Sequence, residues 1–151
     1  MTAVIQRVKR GRVMINGTEH SGINAGMVIL LGVYGTDTDA DAAVLANKIF
    51  GLRIFEDENG KMNLSVSDIG GKILVISNFT VCADVSKGRR PSFSVAAQAE
   101  YAEKLYSEFV SYLSDKADVK TGVFGADMQV EIINDGPVTI IADSAELMKK
   151  E

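Results

Sequence analysis

Two apolar strand patterns close this chain, Gln129 to Ile133 and Val138 to Ala142, and Asn134-Asp135-Gly136-Pro137 stands between them. That break constrains the fold more than any other stretch. Glycine removes a side chain and proline removes a backbone donor, so no regular ladder can run through both positions. Proline also allows a cis peptide bond, which would aim two successive carbonyls the same way. Alone, a Gly-Pro pair between strands is an ordinary turn. Here it has company. Ser77-Asn78-Phe79-Thr80-Val81 ends an earlier apolar strand, and Gly122-Val123-Phe124-Gly125-Ala126-Asp127-Met128 lies just upstream of the closing pair.

The remaining elements follow from periodicity. Residues 3–8 read as a strand, and Val13-Met14-Ile15 runs into Asn16-Gly17, a favoured two-residue hairpin turn. Met27 to Val33 is a continuous apolar run, hence a buried strand. Thr36, Asp37 and Thr38 offer caps for a helix from about Asp39 to Phe50, with Ala42, Leu45, Ala46 and Ile49 on one face. Leu52 to Phe55 is a short strand turned by Glu58-Asn59-Gly60-Lys61, and Ile73 to Phe79 is a central strand. Residues 83–92 form a charged loop. Ser94 is the expected cap of a second helix reaching Ser114, its face Ala102, Leu105, Tyr106, Phe109 and Leu113. The polar tail after Ser144 is expected to fray. About seven strands and two helices, in the order strands, helix, strands, helix, strands, imply one α/β domain over residues 1–151. Such an order fits helices covering one side of a mixed sheet.

Composition narrows the function. With 46% hydrophobic and 24% charged residues the balance is that of an ordinary soluble protein, and no apolar run is long enough for a bilayer-spanning helix. No signal peptide is evident at the N-terminus, so a cytoplasmic location and no membrane partner are expected. Cys82 and His20 are each single in the chain, which excludes an internal disulfide and a thiolate zinc cluster. No Walker-type phosphate loop is present either, and no metal or cofactor is expected. A net charge of −4 argues against indiscriminate nucleic-acid binding. It leaves room for a local basic patch from Arg7, Lys9, Arg10 and Arg12, or from Lys87, Arg89 and Arg90. Each stretch by itself reads as solvated charge.

Acid–base chemistry is sparse. Thr80 and Ser77 are hydroxyls at the end of a central strand, but the lone His20 sits past a hairpin turn and supports a Ser-His-Asp triad poorly. Cys82 reads as a half-buried structural thiol. Asp84, Asp127, Asp135 and Asp143 are scattered over loops and strand ends. An enzyme so equipped would suit a reactive bond such as an aminoacyl ester. Positioned water and backbone donors to the oxyanion can accelerate that hydrolysis, one donor being worth about 3 kcal/mol.

The three blocks around Ser77–Val81, Gly122–Met128 and Asn134–Thr139, in this order, resemble the D-aminoacyl-tRNA deacylases. So do Ala3-Val4-Ile5-Gln6-Arg7-Val8, Leu52 to Asp57, Gly60 to Asn63, Lys87-Gly88 and Arg90-Pro91-Ser92-Phe93. The resemblance implies a barrel-like layered core of mixed β-sheets with two helices packed on one side. It implies a homodimer acting on the 3′ end of aminoacyl-tRNA, not on DNA, and hydrolysing D-aminoacyl and glycyl esters. Residues matching Ser77, Phe79 and Thr80 surround the scissile ester, the Phe79 amide being the candidate oxyanion donor. Thr80 is either nucleophile or water-positioning group; the absence of a nearby base favours positioning. Gly136 and Pro137 are expected in cis and inside the partner's site, where their carbonyls hold the substrate's amino group and reject an L side chain. Arg7 is expected to brace that loop, and Asn78, Phe124 and Met128 to border the substrate. The family usually has Gln at the position of Asn78, often Leu at Val81, and a larger residue at Cys82. Two other readings stand beside this one: a related deacylase of altered chirality, and a non-catalytic RNA-binding dimer.

Overall fold

A computed structural model of the 151-residue chain describes residues 1–149. The strands are β1 (Thr2–Ile15), β2 (Thr18–Ile23), β3 (Gly26–Gly32), β4 (Phe55–Glu56), β5 (Met62–Leu64), β6 (Lys72–Ser77), β7 (Val119–Thr121) and β8 (Gln129–Asp143). The helices are α1 (Asp39–Phe50), α2 (Ala99–Ser114) and α3 (Ser144–Met148), and a 3-10 turn spans Phe79–Cys82. One mixed sheet runs β2-β1-β3-β6-β7, with β8 along the other edge of β1; β4 and β5 form a separate small ribbon. Pairings of β1 with β2, β3 and β8 are antiparallel, whereas β3, β6 and β7 run parallel. The sheet curls into a nearly closed barrel.

The two faces of this sheet hold separate apolar clusters. Ile5, Met27, Ile29, Leu31, Ile73 and Val75 meet α1 and α2 through Leu45, Ile49, Leu105, Phe109 and Leu113. The opposite face gathers Val8, Val13, Ile23, Val28, Leu74 and Ile76 inside the curl. Alternate residues of β3 and β6 thus serve both cores, which explains their uninterrupted apolar sequence.

Most elements fall where expected, and the departures have physical causes. Residues 3–8 and 13–15 belong to one strand, β1, instead of two. The intervening charges face outward and are paired: Arg10 with Glu131 at 2.8 Å and Arg12 with Glu19 at 3.6 Å. Gly11 faces inward, where a Cβ would lie 2.6 Å from a methyl of Val28. The short strand is Phe55–Glu56, not Leu52 to Phe55. The central strand β6 stops at Ser77 because Asn78 turns the chain into the 3-10 segment. Helix α2 starts at Ala99 with Gln98 as its cap, not at Ser94. Residues 95–97 are held against residues 33–35: Gly35 N–H donates to Val95 O at 3.0 Å and Ala97 N–H to Val33 O at 2.9 Å. The tail after Ser144 does not fray at its start; it forms α3, capped by Asp143, whose side chain accepts from Ala145 N–H at 2.8 Å.

The closing strands prove to be one strand with an excursion. Gln6 pairs with Thr139 and Val8 with Asn134, so Asp135 to Val138 stand opposite the single residue Arg7.

Candidate active site

The parallel strands β3 and β6 end side by side, and the 3-10 turn that follows β6 forms one wall of a cavity of about 800 Å³. Ser77, Asn78, Phe79 and Thr80 line that wall. Phe124 to Met128 face them, the floor is Leu30, Ile76 and Ile132, and Ala97, Ala99 and Ala102 close the helical side. Ligand crevices at the carboxyl ends of parallel strands are a recurrent property of open α/β sheets. Six of the nine candidate residues, Ser77, Asn78, Phe79, Thr80, Phe124 and Met128, therefore share one cavity.

The turn itself is organised by Asn78. Its Oδ1 accepts from the Thr80 amide at 3.2 Å and from Thr80 Oγ1 at 2.5 Å. Asn78 N–H donates to Leu31 O at 2.8 Å, tying the turn to the end of β3, and Val81 N–H donates to Asn78 O at 3.2 Å. The first amide of the turn, that of Phe79, has no acceptor among the described residues. A helical turn leaves its first N–H groups free in this way. The Thr80 hydroxyl is donated to an amide oxygen, which cannot take its proton as a base. Among the described residues no His, Lys or Arg lines the cavity, and the one charged residue that does is Asp127. His20 is exposed on β2.

Two further groups shape the cavity. The exposed Phe79 ring meets Phe93 edge-on, with centroids 5.0 Å apart. Phe124 leans on Tyr106, with centroids 6.0 Å apart, and the Tyr106 hydroxyl donates to Val75 O at 2.9 Å. Burial pushes the Tyr106 phenol up to about 12, so it stays a neutral donor. Cys82 is buried beneath the turn, deeper than the half-buried thiol expected, and burial raises its pKa, which suits a packing role.

The other three candidates lie together outside the cavity. Arg7 is buried, and its guanidinium spans two elements: Nε donates to Asp135 O at 3.2 Å and Nη1 to Ile54 O at 2.9 Å. Asp135 Oδ2 lies 3.3 Å from the same Nε. Asn134 Nδ2 donates to Arg7 O and to Val138 O, both at 3.0 Å, closing the base of the excursion. Above that base the Gly136-Pro137 bond is cis, Gly136 has φ +123°, and both residues are exposed. Arg7 holds this loop, but within one chain neither Gly136 nor Pro137 reaches the lining of the cavity.

Nothing in the sequence marks Ala97 or Ala99 as lining a site, and Ala102 reads only as part of the packing face of the second helix, since three alanines around a helix start do not signal a ligand. Phe93 belongs to the family-like block Arg90–Phe93, and an aromatic beside a charged loop is the one hint of its place at the cavity wall. Among the described residues, no group of three or more His, Cys, Asp and Glu side chains is gathered as metal ligands would be.

Fold and cavity are those of a mixed α/β protein with a crevice at the carboxyl ends of two parallel strands. The sequence matches the profile of the D-Tyr-tRNA(Tyr) deacylase family over residues 4–143. It is 55% identical over 146 residues to the D-aminoacyl-tRNA deacylase of Desulfatibacillum aliphaticivorans, covering 95% of this chain and 99% of that one. Identity is 52% over 147 residues with the D-aminoacyl-tRNA deacylase of Thermus aquaticus, covering 97% of each. A solved structure of the c-Myc DNA Unwinding Element Binding Protein superposes with a TM-score of 0.90 at 43% identity, over 95% of this chain and 98% of that one. A second, described as "a probable eukaryotic D-amino acid tRNA deacylase", shares the fold with a TM-score of 0.80 at 16% identity, over 95% of this chain and all of the other. The chain belongs to the D-aminoacyl-tRNA deacylase family, hydrolases that act on aminoacyl-tRNA.

Proposed function

We propose that this protein hydrolyses the ester that joins a D-amino acid to the 3′-terminal ribose of tRNA, and glycyl-tRNA with it. The observation that carries this reading is the pairing, in one cavity, of a free Phe79 amide with a Thr80 hydroxyl that has no base. An aminoacyl ester needs little more: a donor for the developing oxyanion and a held water. In this reading Phe79 N–H receives the carbonyl oxygen, and Thr80 and Ser77 hold the water. The neighbouring ribose hydroxyl helps to activate that water, and no resident metal takes part. Asn78, Phe124 and Met128 border the aminoacyl-ribose. The site works in the cytoplasm.

Chirality is assigned to the Gly136-Pro137 loop of a second subunit. The protein acts as a homodimer in which each loop enters the other subunit's cavity. The carbonyls of Gly136 and Pro137 then bind the substrate's amino group and leave no room for an L side chain. Its support is the family resemblance, together with the exposed loop that Arg7 holds away from its own cavity. The test is deacylation of D-Tyr-tRNA, L-Tyr-tRNA and Gly-tRNA, with and without chelator. Hydrolysis of the D and glycyl esters, sparing of the L ester and indifference to chelator are expected. Equal hydrolysis of D and L esters would overturn the chiral assignment, and a chelator-sensitive rate restored by zinc would overturn the metal-free mechanism.

A further inference from the structure

The chain names two basic stretches, and the fold treats them differently. In the first, Arg7 is buried against Asp135, Lys9 lies 3.8 Å from the same carboxylate, Arg10 pairs with Glu131 and Arg12 with Glu19. Its charges are largely neutralised inside the sheet. In the second, Lys87, Arg89 and Arg90 are exposed and none has an acidic partner within ion-pair distance among the described residues. On a chain of net charge −4, three unneutralised cations within four positions are a local reversal of sign.

Their placement is specific. The loop that carries them leaves the 3-10 turn at Ala83 and is pinched by a two-way bridge: Asp84 N–H donates to Ser92 O at 2.8 Å, and Ser92 N–H to Asp84 O at 2.9 Å. One residue beyond the pinch, Phe93 packs on Phe79, which lines the cavity; Ala97 then lines it too. The basic tip is thus anchored at both ends to the cavity wall. Its root carries two partly exposed rings, Phe79 at 57% and Phe93 at 36% exposure, that are available to stack.

We infer that this loop binds the phosphodiester backbone of the single-stranded RNA end that trails from the nucleotide in the cavity, with Lys87, Arg89 and Arg90 as the phosphate ligands. The inference rests on the aminoacyl-tRNA reading of the cavity and says how the polymer beyond its last nucleotide is held. Cations beside exposed aromatic rings are the common means of holding single-stranded nucleic acid without reading its sequence. Phosphate contacts of this kind release counterions, so binding weakens with salt in proportion to the contacts made.

The test separates the loop from the cavity by using two substrates: D-Tyr-tRNA, and D-tyrosyl-adenosine esterified at the ribose, which has the ester and the terminal nucleoside but no phosphate. The triple variant K87Q/R89Q/R90Q is expected to raise KM for D-Tyr-tRNA on the order of tenfold. It should also lower the slope of log(kcat/KM) against log salt by about 2, the loss of about three single-strand phosphate contacts. Its kcat/KM on D-tyrosyl-adenosine should match the unmodified protein's. The charge-retaining variant R89K/R90K should keep most of the salt slope. If the triple variant impairs both substrates equally, the loop only props the Phe79–Phe93 wall and the inference falls; if it impairs neither, the phosphates bind elsewhere. Failure of the aminoacyl-tRNA reading would look different, because the unmodified protein would then hydrolyse neither substrate.

Discussion

The residue that most repays attention is Asn78, because it decides what Thr80 can do. Its carboxamide oxygen accepts hydrogen bonds from both the amide and the hydroxyl of Thr80, so the hydroxyl's donor is committed and its lone pairs are left to accept. A hydroxyl held like this orients a water better than it attacks a carbonyl. Thr80→Ala is therefore expected to retain a measurable fraction of wild-type turnover on D-Tyr-tRNA, a loss of about tenfold to a hundredfold, which is the scale of one positioning contact. Single-turnover kinetics with a slowly hydrolysed ester would check it, and an acyl group trapped on Thr80 would overturn it. The short Asn side chain fits the Asx-type turn that it caps. Gly136 makes a second point at this scale. At φ +123° a Cβ would stand 2.9 Å from Val138 N and 3.1 Å from Arg7 Nη2. Gly136→Ala should distort the loop and lower kcat/KM on D-Tyr-tRNA by about tenfold or more, at a stability cost of about 1–3 kcal/mol. Circular-dichroism melting beside the deacylation assay would separate the two effects.

Among the elements, α1 and α3 are joined by a buried polar knot at the N-terminus. The Met1 ammonium donates to Asp37 Oδ1 at 2.7 Å and to Ser144 Oγ at 2.8 Å; Ser144 Oγ in turn donates to Asp41 Oδ1 at 2.6 Å. Asp41 Oδ2 reaches back to the Thr38 amide at 2.8 Å, as in a capping box. Burial pushes the Asp41 carboxyl up, but the hydrogen bonds from Ser144 and Thr38 outweigh it and hold the group below the usual carboxylate range. A depressed folded pKa means that this stabilisation is complete above the unfolded value, near pH 4, and is lost as pH falls through the folded value. Asp41→Asn should cost about 1–2 kcal/mol at pH 7. The gap between variant and wild-type melting temperatures should narrow below about pH 4; a gap independent of pH would contradict it. This knot also shows why α3 was not legible in the sequence: Ser144 is fixed by Met1 and Asp41, at the far end of the chain. Legibility tracked locality throughout. In α1 the caps and the 3.6-residue period agree within fifteen residues, and the structure gives Asp39–Phe50 as expected. The start of α2 depends on bonds from residues 95–97 to residues 33–35, and the continuity of β1 on acidic partners in β2 and β8. The wall Ser77–Thr80 was visible as a strand end with hydroxyls. The bracing of Asp135 by Arg7 was legible only through the family resemblance, because a lone arginine in a strand carries no sign of what it will hold.

At the scale of the whole molecule, the candidate residues divide into two groups that one chain does not bring together. The cavity has Ser77 to Thr80, Phe124 and Met128; the loop has Arg7, Gly136 and Pro137. If the loop serves a second subunit's cavity, two impaired variants should restore each other when mixed. The first blocks its own cavity by Ala126→Phe, a large ring in place of a lining methyl group, and keeps its loop. The second keeps its cavity and spoils its loop by Gly136→Ala. Each homodimer lacks one half of every site. In the mixed dimer one site combines both defects and the other combines the intact cavity with the intact loop. Random exchange makes half the dimers mixed, each with one good site of two, so about a quarter of wild-type activity should return if the assembly is a symmetric dimer with shared sites. The measurement is deacylation of D-Tyr-tRNA after co-refolding the two variants, with each variant alone as the baseline and sedimentation to confirm the assembly. Recovery near a quarter supports shared sites. A mixture no more active than its components, in material that sediments as a dimer, would mean that each loop serves its own chain or none, and the chiral filter would have to lie within the cavity.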